Sequence, residues 1–144
     1  MQLNFEKFNF QIKSDNNGKN EIYDIIRKKY VALTPEEWVR QHVIHQLIKN
    51  GFAAGRMSIE KTLPSSRKRY DIIYYNQEGT TEILIECKAP KVSINQKTIN
   101  QVAGYINLQN VRKIILTNGL YHYYIERREN ELHIRNELPL FTLK

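Results

Sequence analysis

The residue types best suited to chemistry fall in two short segments, RYDII at residues 69–73 and ILIECKAP at residues 83–90. Both segments have the apolar character of β-strands, and successive side chains of a strand point to opposite faces. Glu86 and Lys88 therefore share one face, whereas Cys87 points to the other. Because an acid and a base interrupt an otherwise apolar pattern, and such interruptions tend to mark functional sites, we predict a site here.

The pairing of the two segments gives Glu86 an acidic neighbour. A short connection joins them, and if Tyr75 lies opposite Glu82, the register of the hairpin places Asp71 opposite Glu86. Directly opposed side chains lie about 5 Å apart at Cβ, where two carboxylates repel each other. A divalent cation between them removes that repulsion, and carboxylate oxygens suit Mg²⁺ or Mn²⁺.

Lys88 completes a set that could hydrolyse a phosphodiester. It follows Glu86 on the same face, where a positive charge can stabilise developing negative charge and orient an attacking water. Mg²⁺ is typically held by one or two carboxylates together with substrate phosphates. The alternative is a surface ion pair of Lys88 with Glu86 or Asp71 on an edge strand, although the apolar flanks argue against a solvated face.

The length and composition indicate one globular domain with a modest core. The chain has 144 residues, of which 41% are hydrophobic, an ordinary value for a globular protein. No apolar run reaches the length of about 18 residues that spans a membrane, and the opening residues, MQLNFEKFNF, lack the pattern of a signal peptide. The single cysteine, Cys87, excludes an internal disulfide and is typical of a reducing, cytoplasmic location.

Basic residues are in excess. The chain has 22 Lys and Arg against 15 Asp and Glu, a net charge of +7, with clusters at residues 27–29, 67–69 and 127–128. Nucleic acid is the polyanion that such clusters would bind, and a merely soluble basic surface is the alternative. A membrane surface is disfavoured because no basic helix has a bulky apolar face.

The order of elements predicts an α/β (α+β) fold with a mixed central sheet. In a single domain, an N-terminal β-hairpin (1–33) precedes a core (34–126), and a C-terminal hairpin or tail (127–144) follows. The core runs helix, three strands, helix, strand, and the segment after Lys88 implies a right-handed parallel crossover. Strands are predicted at residues 3–13, 21–26, 56–62, 69–75, 82–88, 113–117, 121–126 and 131–135.

Capping signals predict where both helices begin. Thr34 is the N-cap of the first helix, with Pro35 at the first helical position and Glu37 at the acidic position of a capping box. Ser93 and Gln96 form a second capping box, for a helix at residues 94–108. Apolar residues at helical spacing should face the sheet: Val39, Val43, Ile44, Leu47 and Ile48 in the first helix, and Ile99, Val102, Ala103 and Ile106 in the second.

These motifs, in this order, resemble the PD-(D/E)xK nuclease superfamily, and more closely the N-terminal nuclease domain of the type I restriction enzyme R subunit. The resemblance covers residues 22–125. It is carried by RYDII, LIECKAPK and QVAGY, with support from TNG and the helix start TPEEWVRQ. It implies a restriction-endonuclease-like core and a Mg²⁺-dependent endodeoxyribonuclease, with Mn²⁺ as a substitute. Because the chain has no GxxxxGK[ST] sequence, we expect the helicase-like motor of a full R subunit to be absent from it.

The resemblance also implies roles for single residues of the strand pair. Asp71 and Glu86 would be metal ligands, with the backbone carbonyl of Cys87 as a third. Lys88 would be the catalytic lysine.

In the second helix, Gln101 and Tyr105 match the family's Q-x-x-x-Y motif, whose face lies near the active site and DNA in that family. The alternatives are a surface amide for Gln101 and an aromatic packed on the sheet for Tyr105. The residues expected to contact DNA are Arg67, Lys68, Arg69 and Lys91, together with Tyr105.

Three further positions leave alternatives open. Glu37 borders the buried stripe of its helix and could lean inward as a metal ligand, but the capping box explains it equally well. Glu60 is a weaker candidate for an extra ligand. His42 and His45 lie three residues apart on a helix, a spacing that more often reflects packing or surface than a metal pair, and no zinc spacing with Cys87 is present.

Three classes of function remain, of which the third is a structural subunit that neither cleaves nor binds nucleic acid. The first is a Mg²⁺-dependent DNA endonuclease domain. The second is a non-cleaving module that binds nucleic acid or docks onto the methyltransferase, specificity and motor subunits of a restriction-modification complex.

Overall fold

The structure is a computed structural model that describes residues 2–63 and 68–142. Within these ranges the chain forms two β-sheets and two α-helices, a mixed α+β architecture. No helix of the described residues is long and apolar enough to cross a membrane. The elements are β1 (Ile12–Ser14), β2 (Asn20–Asp24), β3 (Lys29–Ala32), α1 (Pro35–Lys49), β4 (Met57–Thr62), β5 (Arg69–Tyr75), β6 (Thr81–Cys87), α2 (Gln96–Gln109), β7 (Lys113–Thr117), β8 (His122–Arg128) and β9 (Glu131–Arg135).

The larger sheet contains the predicted core strands. Its strands lie in the order β4-β5-β6-β7-β8-β9. The strands β6 and β7 are parallel and are joined by α2, whereas the other neighbouring pairs are antiparallel. The predicted order of helix, three strands, helix and strand is therefore confirmed, as is the parallel pairing on either side of α2.

One helix covers each face of the larger sheet. The face under α1 buries Val39, Val43, Leu47, Ile72 and Ile85. The face under α2 buries Ile99, Val102, Ile106, Ile73 and Leu84. Full burial of such a side chain contributes about 1.5–3 kcal/mol, so the two helices hold β5 and β6 firmly between them.

The N-terminal segment differs from the predicted hairpin. The predicted turn does join antiparallel β1 and β2, but β3 adds a third strand on the other side of β2, and the described residues before β1 are not a strand. Their aromatic side chains contact α1 instead: Phe8 lies 5.5 Å from His45 and Phe10 lies 4.7 Å from His42 between ring centroids. The alternating apolar residues of this segment pack onto α1, and this packing does not require a β-strand.

The start of α2 also differs. The helix begins at Gln96, and its N-cap is Asn95, whose Oδ1 accepts a hydrogen bond from the backbone N–H of Thr98 at 3.0 Å. The predicted capping box of Ser93 and Gln96 is therefore wrong. Asparagine is among the strongest N-cap residues, and here it lies directly before the first helical residue.

The hairpin of β5 and β6 contains an irregularity near its turn. Tyr75 pairs with Thr81, so the predicted pairing of Tyr75 with Glu82 is wrong. Beyond this shift the two strands follow the predicted alignment, with Ile72 opposite Ile85. The irregularity is thus confined to the end of the hairpin away from the predicted site.

Candidate active site

Asp71 and Glu86 are neighbours at the end of the hairpin farthest from its turn. The pairing of Ile72 with Ile85 makes them the next residues along their strands, as predicted. Asp71 Oδ2 accepts a hydrogen bond from the backbone N–H of Cys87 at 2.7 Å. This bond holds the Asp71 carboxylate against β6, beside Glu86.

The two carboxylates are poorly solvated. The side chain of Glu86 is 7% exposed and that of Asp71 is 25% exposed. Burial raises the pKa of both groups above the usual carboxyl range, and the charge of Asp71 raises the pKa of Glu86 further. Within the described residues, Glu86 Oε1 is buried without a hydrogen-bond partner, which is costly for a carboxylate unless a cation reaches it. The pair therefore fits a hard divalent cation in donor type and in charge.

Other ligands of such a cation would come from outside the acidic side chains. In residues 2–63 and 68–142, no group of three or more His, Cys, Asp or Glu side chains is arranged to hold a metal ion. The Cys87 thiol is buried in the cluster under α1, where burial raises its pKa well above the usual value. A neutral, buried thiol is a poor ligand, so Cys87 could contribute to a metal site only through its backbone carbonyl oxygen.

Lys88 directly follows β6. Its backbone N–H donates to the carbonyl oxygen of Thr117 at 2.8 Å, so the chain stays beside β7 for one residue more. The positive charge of Lys88 lowers the pKa of both Asp71 and Glu86, against the larger raising effect of burial. The charge of Lys88 therefore favours the ionised form of both carboxylates.

Lys68 brings a second ammonium group to the site. Its Nζ lies 3.2 Å from Glu86 Oε2, and 5.4 Å and 5.0 Å from the ring centroids of Tyr70 and Tyr105. Burial would lower the pKa of Lys68, but the Glu86 carboxylate outweighs it and the pKa is raised. Expected from the sequence as a DNA contact, Lys68 is placed by the structure as the ion-pair partner of Glu86.

The two motif residues of α2 differ in their surroundings. Tyr105 is half-buried, and its ring meets Tyr70 edge-on at 6.0 Å between centroids. Gln101 lies one turn earlier on the same side of the helix and is exposed. The Tyr105 ring therefore contacts the Lys68 ammonium group, which in turn pairs with Glu86, whereas Gln101 is open to solvent.

The remaining predicted DNA contacts lie on the surface. Arg69 and Lys91 are exposed, and Arg69 Nε donates to the backbone carbonyl of Glu60 at 2.9 Å. Arg67 lies outside the described residues.

Arg40 of α1 is a site residue that the sequence analysis missed. Its side chain is 8% exposed, and its Nη2 lies 3.8 Å from Asp71 Oδ1. Its other nitrogens lie 3.4 Å from Glu37 Oε2 and 3.1 Å from Glu60 Oε1. Arg40 lies one turn before the buried Ile44, at a position of the buried stripe of α1. A basic residue at such a position is the signal from which the sequence could have predicted Arg40 as a site residue.

Glu37 points inward, but toward arginines. Its backbone N–H donates to Thr34 Oγ1 at 3.1 Å, which confirms the N-cap. Its carboxylate accepts from Arg27 Nη2 at 2.8 Å and from Gln41 Nε2 at 3.0 Å. With Arg40 also beside it, Glu37 is linked to Asp71 by a cation and does not join the two acids of the strand pair.

Glu60 has an unusual backbone. It lies within β4, between residues paired with Ile72 and Tyr70 of β5, and has a φ of +54°. A non-glycine residue with positive φ is uncommon and strained. Burial would raise the pKa of Glu60, but Arg40 and Arg27 outweigh it and lower the pKa, so this carboxylate is charged and paired with arginines.

A comparison with known protein families finds one family model that matches most of the chain. Residues 35–139 match the family model of the type I restriction enzyme R protein N terminus. No curated protein matches the chain. The matched range includes both helices, the whole larger sheet, and the three residues Asp71, Glu86 and Lys88.

Proposed function

The chain belongs to the type I restriction enzyme R protein N-terminus family, and we propose that it is a metal-dependent DNA endonuclease domain with a restriction-endonuclease-like core. Its partners would be DNA and the methyltransferase, specificity and motor subunits of a restriction system, and its location the cytoplasm. The observation that carries the proposal is the pair of desolvated acids, Asp71 and Glu86, with Lys88 two residues beyond.

The charge of the acid pair supports a metal site. The two neighbouring carboxylates have raised pKa values, and in the described part of the chain Glu86 Oε1 is buried without a hydrogen-bond partner, so a further cation would stabilise their charged forms. Asp71, Glu86 and the backbone carbonyl of Cys87 would hold Mg²⁺, with Mn²⁺ as a substitute. When bound, the ion would supply the activation of water and the neutralisation of phosphate charge that phosphodiester hydrolysis needs.

The other residues have roles in positioning the reactants. Lys88 follows the Glu86 strand position by two residues, and its charge lowers the pKa of both acids, so we assign it to orienting the attacking water and stabilising charge on the phosphate. Gln101 is exposed on the α2 face that carries Tyr105, where an amide can bind the DNA strand to be cut. Arg69 and Lys91 are exposed and suited to phosphate contacts, which give little sequence preference and a strong dependence on salt.

Cleavage of supercoiled plasmid with Mg²⁺ or Mn²⁺ tests the proposal. The native chain should cut, and Asp71→Asn, Glu86→Gln and Lys88→Met should each be slower by about 100-fold or more. Glu82→Gln is the matched control, because Glu82 lies on β6 at the far end and pairs with Lys113 at 3.6 Å. Equal cutting by the native chain, Asp71→Asn and Lys88→Met would contradict an active site at these residues.

A non-cleaving nucleic-acid-binding or docking module is the second candidate, and one observation favours it. Both acids already have cations of the protein nearby, since Lys68 Nζ lies 3.2 Å from Glu86 and Arg40 Nη2 lies 3.8 Å from Asp71. A site neutralised by its own side chains requires no metal. Retained DNA binding in a mobility shift, with no heat on Mn²⁺ titration, would favour this candidate.

A further inference from the structure

The ammonium group of Lys68 lies beside Glu86, where a metal ion would need the same carboxylate. Lys68 Nζ is 3.2 Å from Glu86 Oε2, while Oε1 has no hydrogen-bond partner in the described part of the chain. The same ammonium faces the rings of Tyr70 and Tyr105 at 5.4 Å and 5.0 Å. Lys68 is thus held from two directions, by a carboxylate and by an aromatic pair.

We propose that Lys68 is a built-in counter-cation of the site. It neutralises Glu86 while no metal is bound, withdraws toward Tyr70 and Tyr105 when a divalent cation binds, and so sets the affinity of the site for that cation. This inference rests on the proposed metal site of Asp71 and Glu86, and it names the residue that competes with the metal.

Competition follows from the charges. Glu86 carries one negative charge, and a divalent cation and an ammonium group that both approach it repel each other strongly in a partly buried site. The ion pair with Lys68 must therefore weaken when a metal binds, and the metal loses affinity in proportion to the strength of that pair. Removal of the ammonium group removes this loss.

Lys68 is better placed to move than Arg40. The Arg40 side chain is 8% exposed and lies between Glu37 and Glu60, so its position near Asp71 is fixed by other contacts. The Lys68 side chain is 29% exposed and has a flexible four-carbon stem. The electron-rich faces of two tyrosine rings attract a cation and give Lys68 a place near the site after it leaves Glu86.

Mn²⁺ titration of the whole chain, followed by the EPR signal of the free ion, tests the inference without any cleavage assay. The comparison is between the native chain, Lys68→Met, Lys68→Arg and the control Lys113→Met, with Asp71→Asn to abolish the site. Lys113 is the control because it also pairs with a glutamate, Glu82 at 3.6 Å, but at the far end of β6. Measurements at low ionic strength and about pH 8, far above the ordinary carboxyl pKa, keep the acids charged. Circular dichroism establishes that each variant is folded.

We expect Lys68→Met to bind Mn²⁺ about ten-fold more tightly than the native chain, while Lys68→Arg and Lys113→Met stay close to native. Unchanged or weaker binding by Lys68→Met, with binding abolished in Asp71→Asn, would overturn the role of Lys68 and leave the metal site intact. If the native chain and all folded variants bind no Mn²⁺, the proposed metal site fails together with this inference.

Discussion

Arg27 Nη2 donates to Glu37 Oε1 at 2.8 Å and so joins the turn after β2 to helix α1. Arg27 also forms an ion pair with the buried Asp24 at the end of β2. On the other side, Glu37 Oε2 meets Arg40, whose Nη2 lies 3.8 Å from Asp71 Oδ1. A continuous series of ion pairs therefore runs from the N-terminal sheet through α1 to the candidate metal ligand, and the N-terminal sheet is electrostatically connected to the site.

Substitution of Glu37 should be far more costly than substitution of its neighbour Glu36. Glu37→Gln leaves Arg27 and Arg40 without a shared carboxylate, and breaking a buried pair in this way costs about 3 kcal/mol of the free energy of unfolding. Glu36 is exposed in the same first turn of α1, so Glu36→Gln should stay within about 0.5 kcal/mol. Urea unfolding measures the loss in free energy of unfolding for both variants, and an unchanged m-value shows that each difference is one of stability. Equal losses would mean that Glu37 acts only on the helix dipole.

Local signals predicted α1 and the hairpin of β5 and β6 well. Thr34 and Pro35 determine where α1 begins whatever the rest of the chain does, because an N-cap and a residue with fixed φ act within one turn. The short connection between the strands limits the possible registers, so Asp71 and Glu86 could be placed beside each other even though the pairing assumed for Tyr75 was wrong.

The cations of the site could be predicted much less well. The partner of a long basic side chain depends on which elements meet in three dimensions, and no local rule gives that. Arg40 had a weak signal, its place in the buried stripe of α1. Lys68 had none, because its contacts with Glu86 and Tyr105 join a segment before β5 to β6 and α2.

The N-cap of α2 can be tested with a matched pair of substitutions. Asn95→Ala removes the side chain that accepts from the N–H of Thr98 at 3.0 Å and should cost about 1 kcal/mol of the free energy of unfolding. Ser93→Ala changes an exposed residue before the cap and should cost less than about 0.5 kcal/mol. Urea unfolding midpoints measure the difference. A larger loss for Ser93→Ala would instead support the capping box predicted from the sequence.

The buried His122 is held in its neutral form. Its Nε2 lies 2.7 Å from the carbonyl oxygen of Asn4, and its Nδ1 lies 2.7 Å from Thr117 Oγ1. Because a carbonyl only accepts, we assign the proton to Nε2, and the Thr117 hydroxyl then donates to Nδ1. Burial lowers the pKa of His122, and burial likewise lowers the pKa of His42 and His45.

These histidines should make the fold less stable in mild acid. A histidine whose folded pKa is depressed contributes stability that is complete above the unfolded pKa of about 6.5 and is lost as the pH falls from there toward the folded pKa. The urea midpoint should therefore drop between about pH 7.5 and about pH 5.5, and it should drop less in His122→Gln. His133→Gln in the exposed strand β9 is the control and should keep the native slope. If the urea midpoint of His122→Gln fell with pH as steeply as that of the native chain, the assignment of a buried, neutral His122 would be contradicted.

Tyr105 should contribute through its ring and not through its hydroxyl. The ring packs edge-on against Tyr70 at 6.0 Å between centroids and faces Lys68 Nζ at 5.0 Å. Such an aromatic pair contributes about 0.5–1.5 kcal/mol and a cation over a ring about 0.5–1 kcal/mol. Tyr105→Phe keeps both contacts and should unfold at nearly the native urea concentration, whereas Tyr105→Leu loses both and should be less stable by about 1–2 kcal/mol. An equal loss in Tyr105→Phe and Tyr105→Leu would show that the hydroxyl group, and not the ring, stabilises this side of the site.

A double-mutant cycle of Tyr105→Leu with Lys68→Met isolates the contact between the Lys68 ammonium group and the Tyr105 ring. For this contact we expect a coupling energy of about 0.5 kcal/mol.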